Sequence, residues 1–146
     1  DALPISAEGA VKNATREQIA RVKELAHEMR RQSLDRSDVI RSAAGFVTSN
    51  VEFHAIIVAA AGNRFLLRLY SQIQMQLQIV TYLVRSGFDP KAAERRQNEH
   101  DAIVKALADR DVKRLKAALR SHSQTTARVI LAAFASEREL RSARRP

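Results

Sequence analysis

The sequence predicts an all-α protein, an antiparallel helical bundle of about five to six helices. Glycine and proline, which commonly interrupt helices and strands, number only four and three in 146 residues. Apolar residues recur every three or four positions through most of the chain, and no segment alternates strictly as a half-buried strand does. Hydrophobic residues make up 45% and charged residues 28%, which is typical of a packed domain and excludes a disordered chain.

The chain is expected to begin with an irregular lead-in over residues 1–14, because Pro4 and Gly9 interrupt it. The first helix is predicted over 15–33. Thr15 starts a capping-box pattern, and apolar residues at helical spacing follow it: Ile19, Val22, Leu25, Ala26 and Met29.

The second helix is predicted to begin near Ser37 or Asp38 and to run to about Ala61, where Gly62 ends it. Its expected inward side chains are Ala43, Phe46, Val47, Phe53, Ile57 and Val58. A third helix is predicted over 63–85, before Gly87. Its expected inward stripe comprises Leu66, Leu69, Tyr70, Ile73, Leu77, Val80 and Val84.

An aspartate followed by proline predicts a fourth helix over 90–108. Asp109 or Asp111 then caps a fifth helix. Residues 138–146 are expected to form a basic C-terminal tail, so the helical domain spans 15–137. The short connections predict that neighbouring helices pack antiparallel.

The composition excludes several functions. There is no cysteine, which removes disulfides and thiolate chemistry and fits a cytoplasmic location. The longest apolar runs, 55–61 and 129–135, are far shorter than the ~18 residues of a membrane span. The net charge of +9 is interpreted mainly as basic side chains scattered over solvated surfaces. The chain starts without methionine, so it is expected to be part of a longer protein.

Three of the four histidines are predicted to point into the bundle. His54, His100 and His122 lie on the apolar faces of three different helices, whereas His27 lies among charged residues on a polar face. Asn50 precedes His54 by one helical turn, so the two side chains can point at one spot. Three imidazoles and an amide oxygen could hold a divalent metal such as Zn, Ni or Mn. A lone inward histidine is more often a hydrogen-bonded core residue, and spacing alone leaves both interpretations open.

The order of these motifs resembles the effector-binding C-terminal domain (FCD) of the FadR-like branch of GntR-type bacterial transcription regulators. The resemblance covers nearly the whole chain. It is carried by Phe53-His54 before Ala61-Gly62-Asn63, by Glu99-His100 before Arg110-Asp111, and by His122 in the last long helix.

The resemblance implies a metal site and a partner. In that family an acidic residue and three histidines hold a divalent metal, and a small organic acid binds beside it in a bundle that usually dimerises. The implied metal positions are Asn50, His54, His100 and His122. In the resemblance, Asn50 stands where aspartate is usual. This difference either lowers the affinity for the metal or leaves more positive charge on the bound metal to attract an anionic effector. Glu52 points away from His54 around the helix and is not expected to substitute.

Arg96 and Thr126 lie one helical turn from His100 and His122 and could contact the effector, although both could equally be ordinary bundle residues. The resemblance further implies that operator DNA is bound by an N-terminal winged helix, which is not visible in this sequence. The predicted function is therefore a ligand-sensing regulatory domain and not an enzyme.

Two alternatives stay open: a metal-dependent helical-bundle enzyme, since three protein ligands also describe catalytic zinc, and a basic nucleic-acid-binding module. The enzyme would need an acid or base near the metal, and Glu99 is about 100° from His100 around its helix. Aromatic residues for base stacking make up only 5% of the chain, which disfavours the nucleic-acid module.

Overall fold

The computed structural model describes the backbone of residues 2–85 and 90–143, and the side chains of 7–74, 91–132 and 135. It contains six helices: α1 (Ala2–Asn13), α2 (Arg16–Leu34), α3 (Val39–Ala60), α4 (Arg64–Arg85), α5 (Pro90–Ala108) and α6 (Val112–Ala143). The described backbone has no strand, so the predicted all-α fold is confirmed.

Four helices begin at side-chain caps, of which the sequence predicts Thr15 and, as one of two candidates, Asp111. The side-chain oxygens of Thr15, Asp38, Asn63 and Asp111 each accept a hydrogen bond from the backbone N–H three residues further on, at 2.9–3.1 Å. At Thr15 the capping box is complete, because its own N–H donates to the side chain of Gln18 at 2.9 Å. These caps satisfy N–H groups that no helical carbonyl can reach.

The prediction of an irregular lead-in over residues 1–14 is wrong, because α1 occupies most of it. Pro4 lies in the first turn, where the N–H that proline lacks would have no helical partner. Gly9 lies against the C-terminal end of α3, where an added Cβ would sit 2.1 Å from the carbonyl oxygen of Ala61. The glycine therefore permits close packing of α1 on α3 and does not break the helix.

Arg110 joins the turn between α5 and α6 to the end of α1. Its φ of 58° is left-handed, a conformation that usually favours glycine at the end of a helix. Its guanidinium donates hydrogen bonds to the carbonyl oxygens of Val11 and Ala14, both at 2.6 Å. These bonds help to offset the backbone strain and tie α1 to the rest of the bundle.

The core lies between α2, α3, α5 and α6, with small residues of α1 closing one side. α3 packs against α1, α2 and α4, while α5 packs against α2 and α6. The largest buried side chains are Val22, Leu25, Met29, Phe53, Ile57, Ile103, Leu107, Leu115 and Leu119. Within the described residues one helix, α3, is long and apolar enough for a membrane span by length and composition alone. Its buried face accounts for that composition as a core helix.

Two further expectations need correction. On α4, Leu66 and Tyr70 are half-buried as predicted, but Leu69 and Ile73 are 41% and 51% exposed. The rest of that predicted stripe, Leu77, Val80 and Val84, lies outside the described side chains. The last helix does not give way to a tail at residue 138, because α6 continues to Ala143.

Candidate metal and effector site

Three helices place one imidazole each at a common point inside the bundle. His54 lies on α3, His100 on α5 and His122 on α6, and one ring nitrogen from each lies within 4.8 Å of the other two. The ring centres are 5.9 Å apart for His54 and His100, 5.1 Å for His54 and His122, and 4.7 Å for His100 and His122. We call these three residues the histidine cluster.

Aromatic side chains of α3 form a wall beside the histidine cluster. The ring of Phe53, which is fully buried, lies edge-on to the rings of His54 and His100, at 5.1 Å from each. Phe46, two helical turns earlier, lies 6.4 Å from His100. Because Phe53 belongs to the apolar core, the core itself holds the cluster in position.

His100 is buried, and its two ring nitrogens lack hydrogen-bond partners among the described residues. The residue is 1% exposed, and the nitrogens concerned are Nδ1 and Nε2. Leaving a buried polar group unsatisfied costs about 1–3 kcal/mol. A ligand that accepts electron density from one of these nitrogens would recover part of that cost.

The enclosed position keeps two of the imidazoles neutral. Desolvation, helped by the charge of His122, lowers the pKa of His54 to about 3. Desolvation also lowers the pKa of His100 well below its usual range, with the charges of His122, His54 and Arg96 adding to the effect. Neutral imidazole is the form that binds metal ions, so the residues present fit a divalent cation.

Glu99 joins the histidine cluster through α6, which the sequence analysis did not foresee. Its Oε2 is 3.1 Å from Nδ1 of His122, and its Oε1 accepts a 2.6 Å hydrogen bond from the hydroxyl of Thr125. Burial opposes the carboxylate charge, but these contacts and the charges of His122 and Arg96 outweigh it and lower the pKa of Glu99. The Glu-His pair of α5 was visible in the sequence, but its contact with α6 depends on how the two helices pack.

The other predicted residues lie on the expected helices. Asn50 is half-buried one turn before His54, and Thr126 is half-buried one turn after His122. Arg96 is half-buried one turn before His100, and its charge lowers the pKa of both His100 and Glu99. His27 is exposed and lies outside the cluster, as its polar surroundings predict.

Comparisons with known proteins agree with this architecture. The family model of the FCD domain matches residues 4–125. The structure of E. coli McbR/YncC superposes with a TM-score of 0.76 at 14% sequence identity, over 91% of this chain and 60% of that one. At that identity the likeness shows the fold alone. This chain thus spans three fifths of the length of that structure. A search of curated proteins found no match.

The fold and the family match together define a ligand-sensing regulatory domain built as a helical bundle. More particularly, the chain belongs to the FCD domain family and is the FCD domain of a GntR-type transcription regulator.

Proposed function

We propose that this domain senses a small organic acid at a divalent metal held by His54, His100 and His122, with Asn50 as a further oxygen ligand. The observation that carries the proposal is the convergence of three imidazole nitrogens within 4.8 Å, one of them on a buried ring that has no hydrogen-bond partner among the described residues. Imidazole and oxygen donors suit Zn, Ni or Mn.

The protein residues around the cluster favour an anionic ligand. A divalent cation bound there would supply positive charge and open coordination positions for a carboxylate. Arg96 adds a fixed positive charge whose field reaches His100 and Glu99. Thr126 lies on the same face of α6 as His122 and could donate its hydroxyl to the effector. Asn50 is neutral, so it would repel an anionic ligand less than an aspartate at the same position would.

Sensing accounts for Glu99 better than the enzyme alternative does. A general base needs a carboxylate free to take a proton from a substrate. Both oxygens of Glu99 are engaged by His122 and Thr125. The carboxylate therefore links α5 to α6 at the site and is not free to act as a base.

The regulator is proposed to be a cytoplasmic homodimer that binds operator DNA through a winged-helix domain of the full-length protein. Family membership supports the dimer, and α4 offers a surface for it. Phe65, Leu69 and Ile73 follow one another at intervals of four on one face and are 71%, 41% and 51% exposed. We call these three residues the α4 stripe. Effector binding would shift the equilibrium between two arrangements of the dimer. The size of that shift is limited by the difference in the effector's affinity for the two arrangements.

The metal is tested by measuring the zinc affinity of the wild type against two matched variants. His54→Leu removes a cluster ligand, whereas His27→Leu removes an exposed histidine outside it. We expect about one equivalent of tightly bound zinc for the wild type and for His27→Leu. We expect His54→Leu to lose about 100-fold or more in affinity, the upper range for changes around a metal site.

The effector is tested by thermal shifts of the zinc-loaded protein against a panel of carboxylic acids and their amides. We expect at least one acid, and not its amide, to raise the melting temperature of the wild type, and Arg96→Gln to reduce the shift. A wild type that retains no metal and responds to no acid would contradict the proposal.

A further inference from the structure

Glu99 bridges α5 and α6 beside the histidine cluster. Its side chain is 17% exposed and that of His122 is 11% exposed, so their 3.1 Å contact is largely shielded from water. Its second oxygen accepts the 2.6 Å hydrogen bond from Thr125, which lies one turn after His122 on the same helix. Because both oxygens are engaged, the direction of the carboxylate is fixed.

This contact selects which nitrogen of His122 is available to a ligand. A carboxylate oxygen accepts hydrogen bonds, so Nδ1 of His122 carries the proton that faces Glu99. Nε2 then keeps the lone pair. The ring of His122 lies 5.1 Å from that of His54 and 4.7 Å from that of His100, so the ring that Glu99 orients is part of the cluster, and Nε2 is the nitrogen left to bind a cation.

The contact also changes the charge balance of the cluster. Neutral imidazoles bring no charge, and the amide of Asn50 brings none. Glu99 places one negative charge against the ring of His122, on the side that the carboxylate contacts. A carboxylate behind a histidine ligand makes the imidazole a stronger donor and holds its orientation.

We infer that Glu99 is a positioning residue of the metal site, which fixes the tautomer of His122 and supplies the negative charge that Asn50 lacks. This inference rests on the proposed metal site. It predicts that removing the charge of Glu99, with its shape kept, weakens metal binding. It also predicts that the same change alters the preferred tautomer of His122 in the metal-free protein.

The affinity test uses zinc alone, in competition with a chromophoric chelator, at constant pH and salt. Glu99→Gln keeps the shape of the side chain and removes its charge, and we expect a loss of about 10- to 100-fold. Glu94→Gln removes the same charge from an exposed position of α5 and should stay within about twofold. Thr125→Val leaves the charge but removes the hydrogen bond that orients it, so its loss should be smaller than that of Glu99→Gln.

The second readout is the nitrogen NMR spectrum of the histidine rings in the metal-free protein. We expect His122 to carry its proton on Nδ1 in the wild type and in Glu94→Gln, and to lose that preference in Glu99→Gln, whose amide can also donate. A purely structural role of Glu99 would not move this signal. If Glu99→Gln does not fold, the same two measurements on Thr125→Val decide, with reduced affinity as the supporting result.

The outcomes separate this inference from the proposed function. Zinc binding that is equal in the wild type, Glu99→Gln and Thr125→Val overturns the role of Glu99 and leaves the metal site standing. A wild type that binds no zinc overturns both. Weaker zinc binding in Glu99→Gln, together with an altered His122 tautomer and an unchanged Glu94→Gln, supports the inference.

Discussion

The histidine cluster buries polar side chains, whereas the α4 stripe exposes apolar ones, and both are the reverse of the usual arrangement in a folded protein. The cluster encloses polar rings, one of them 1% exposed and without a hydrogen-bond partner in the described part of the chain. The α4 stripe turns three large apolar side chains outward, Phe65 most of all, at 71% exposed. Single exposed apolar residues are ordinary in proteins, but a continuous stripe on one helix face is not.

The difference between the two regions shows that each is incomplete in its own way. An unsatisfied buried nitrogen destabilises the fold until something binds it. An exposed apolar stripe costs free energy in water until another surface covers it. Our proposal assigns a cation with an anionic effector to the first deficit and a second copy of the chain to the second. Substitutions in each region test whether the two regions have these separate roles.

The largest expected effect comes from deleting the same ring in the two regions. Phe53→Ala removes a fully buried ring that touches two cluster histidines, and we expect the free energy of unfolding to fall by about 3–5 kcal/mol. Phe65→Ala should change it by no more than about 0.5 kcal/mol in the monomer. Urea unfolding at low protein concentration measures both. Equal losses would show that the α4 stripe is also a core surface.

Acid should destabilise the metal-free protein through the cluster. The pKa of His54 is about 3 in the fold and near 6.5 in the unfolded chain, so the unfolded chain takes up the proton first as the pH falls. His100 is shifted in the same direction. The free energy of unfolding is therefore unaffected by these groups above about pH 6.5. Below that pH it falls by up to roughly 1.4 kcal/mol per pH unit for each imidazole.

This pH dependence is measured by urea unfolding with a chelator present, from pH 7 to pH 5. His54→Leu and His100→Leu should each flatten the curve, while His27→Leu, at an exposed position, should not. His100→Leu should also leave the metal-free protein as stable as the wild type at pH 7 or more so, because it removes unsatisfied buried nitrogens. An unchanged slope in both cluster variants would contradict the prediction.

A charge placed in the α4 stripe should dissociate the dimer. Leu69→Asp buries a carboxylate in the proposed interface, and we expect dimerisation to weaken by about 2 kcal/mol or more. Ile40→Asp is the matched control, because Ile40 is 72% exposed in another apolar patch, beside the turn between α2 and α3. Sedimentation equilibrium measures both variants. If Ile40→Asp dissociates the dimer and Leu69→Asp does not, the interface lies elsewhere than on α4.

The smallest expected effect tests the charge balance of the cluster. Asn50→Asp adds a carboxylate one helical turn before His54, and we expect zinc affinity to rise by on the order of tenfold. Asn98→Asp adds the same charge at an exposed position of α5 and should leave the affinity unchanged. Competition titration with a chelator compares the three proteins. An unchanged affinity for Asn50→Asp would show that residue 50 does not contribute a ligand.

The sequence alone determined the features that depend on residues close together in the chain. The caps Thr15 and Asp111, and helix starts near Asp38 and Asn63, were predicted, because a cap needs only the three residues that follow it. The helical periodicity likewise predicted that three histidines face the bundle interior.

The tertiary structure decided what depends on contacts between distant residues. Gly9 lies within α1 because its missing side chain lets Ala61 of α3 approach, and Glu99 reaches His122 and Thr125 because of how α5 packs on α6. The exposure of Leu69 and Ile73 depends on which neighbours cover α4. Periodicity specifies which face of a helix is apolar, but only the packing of the other helices decides whether that face is buried.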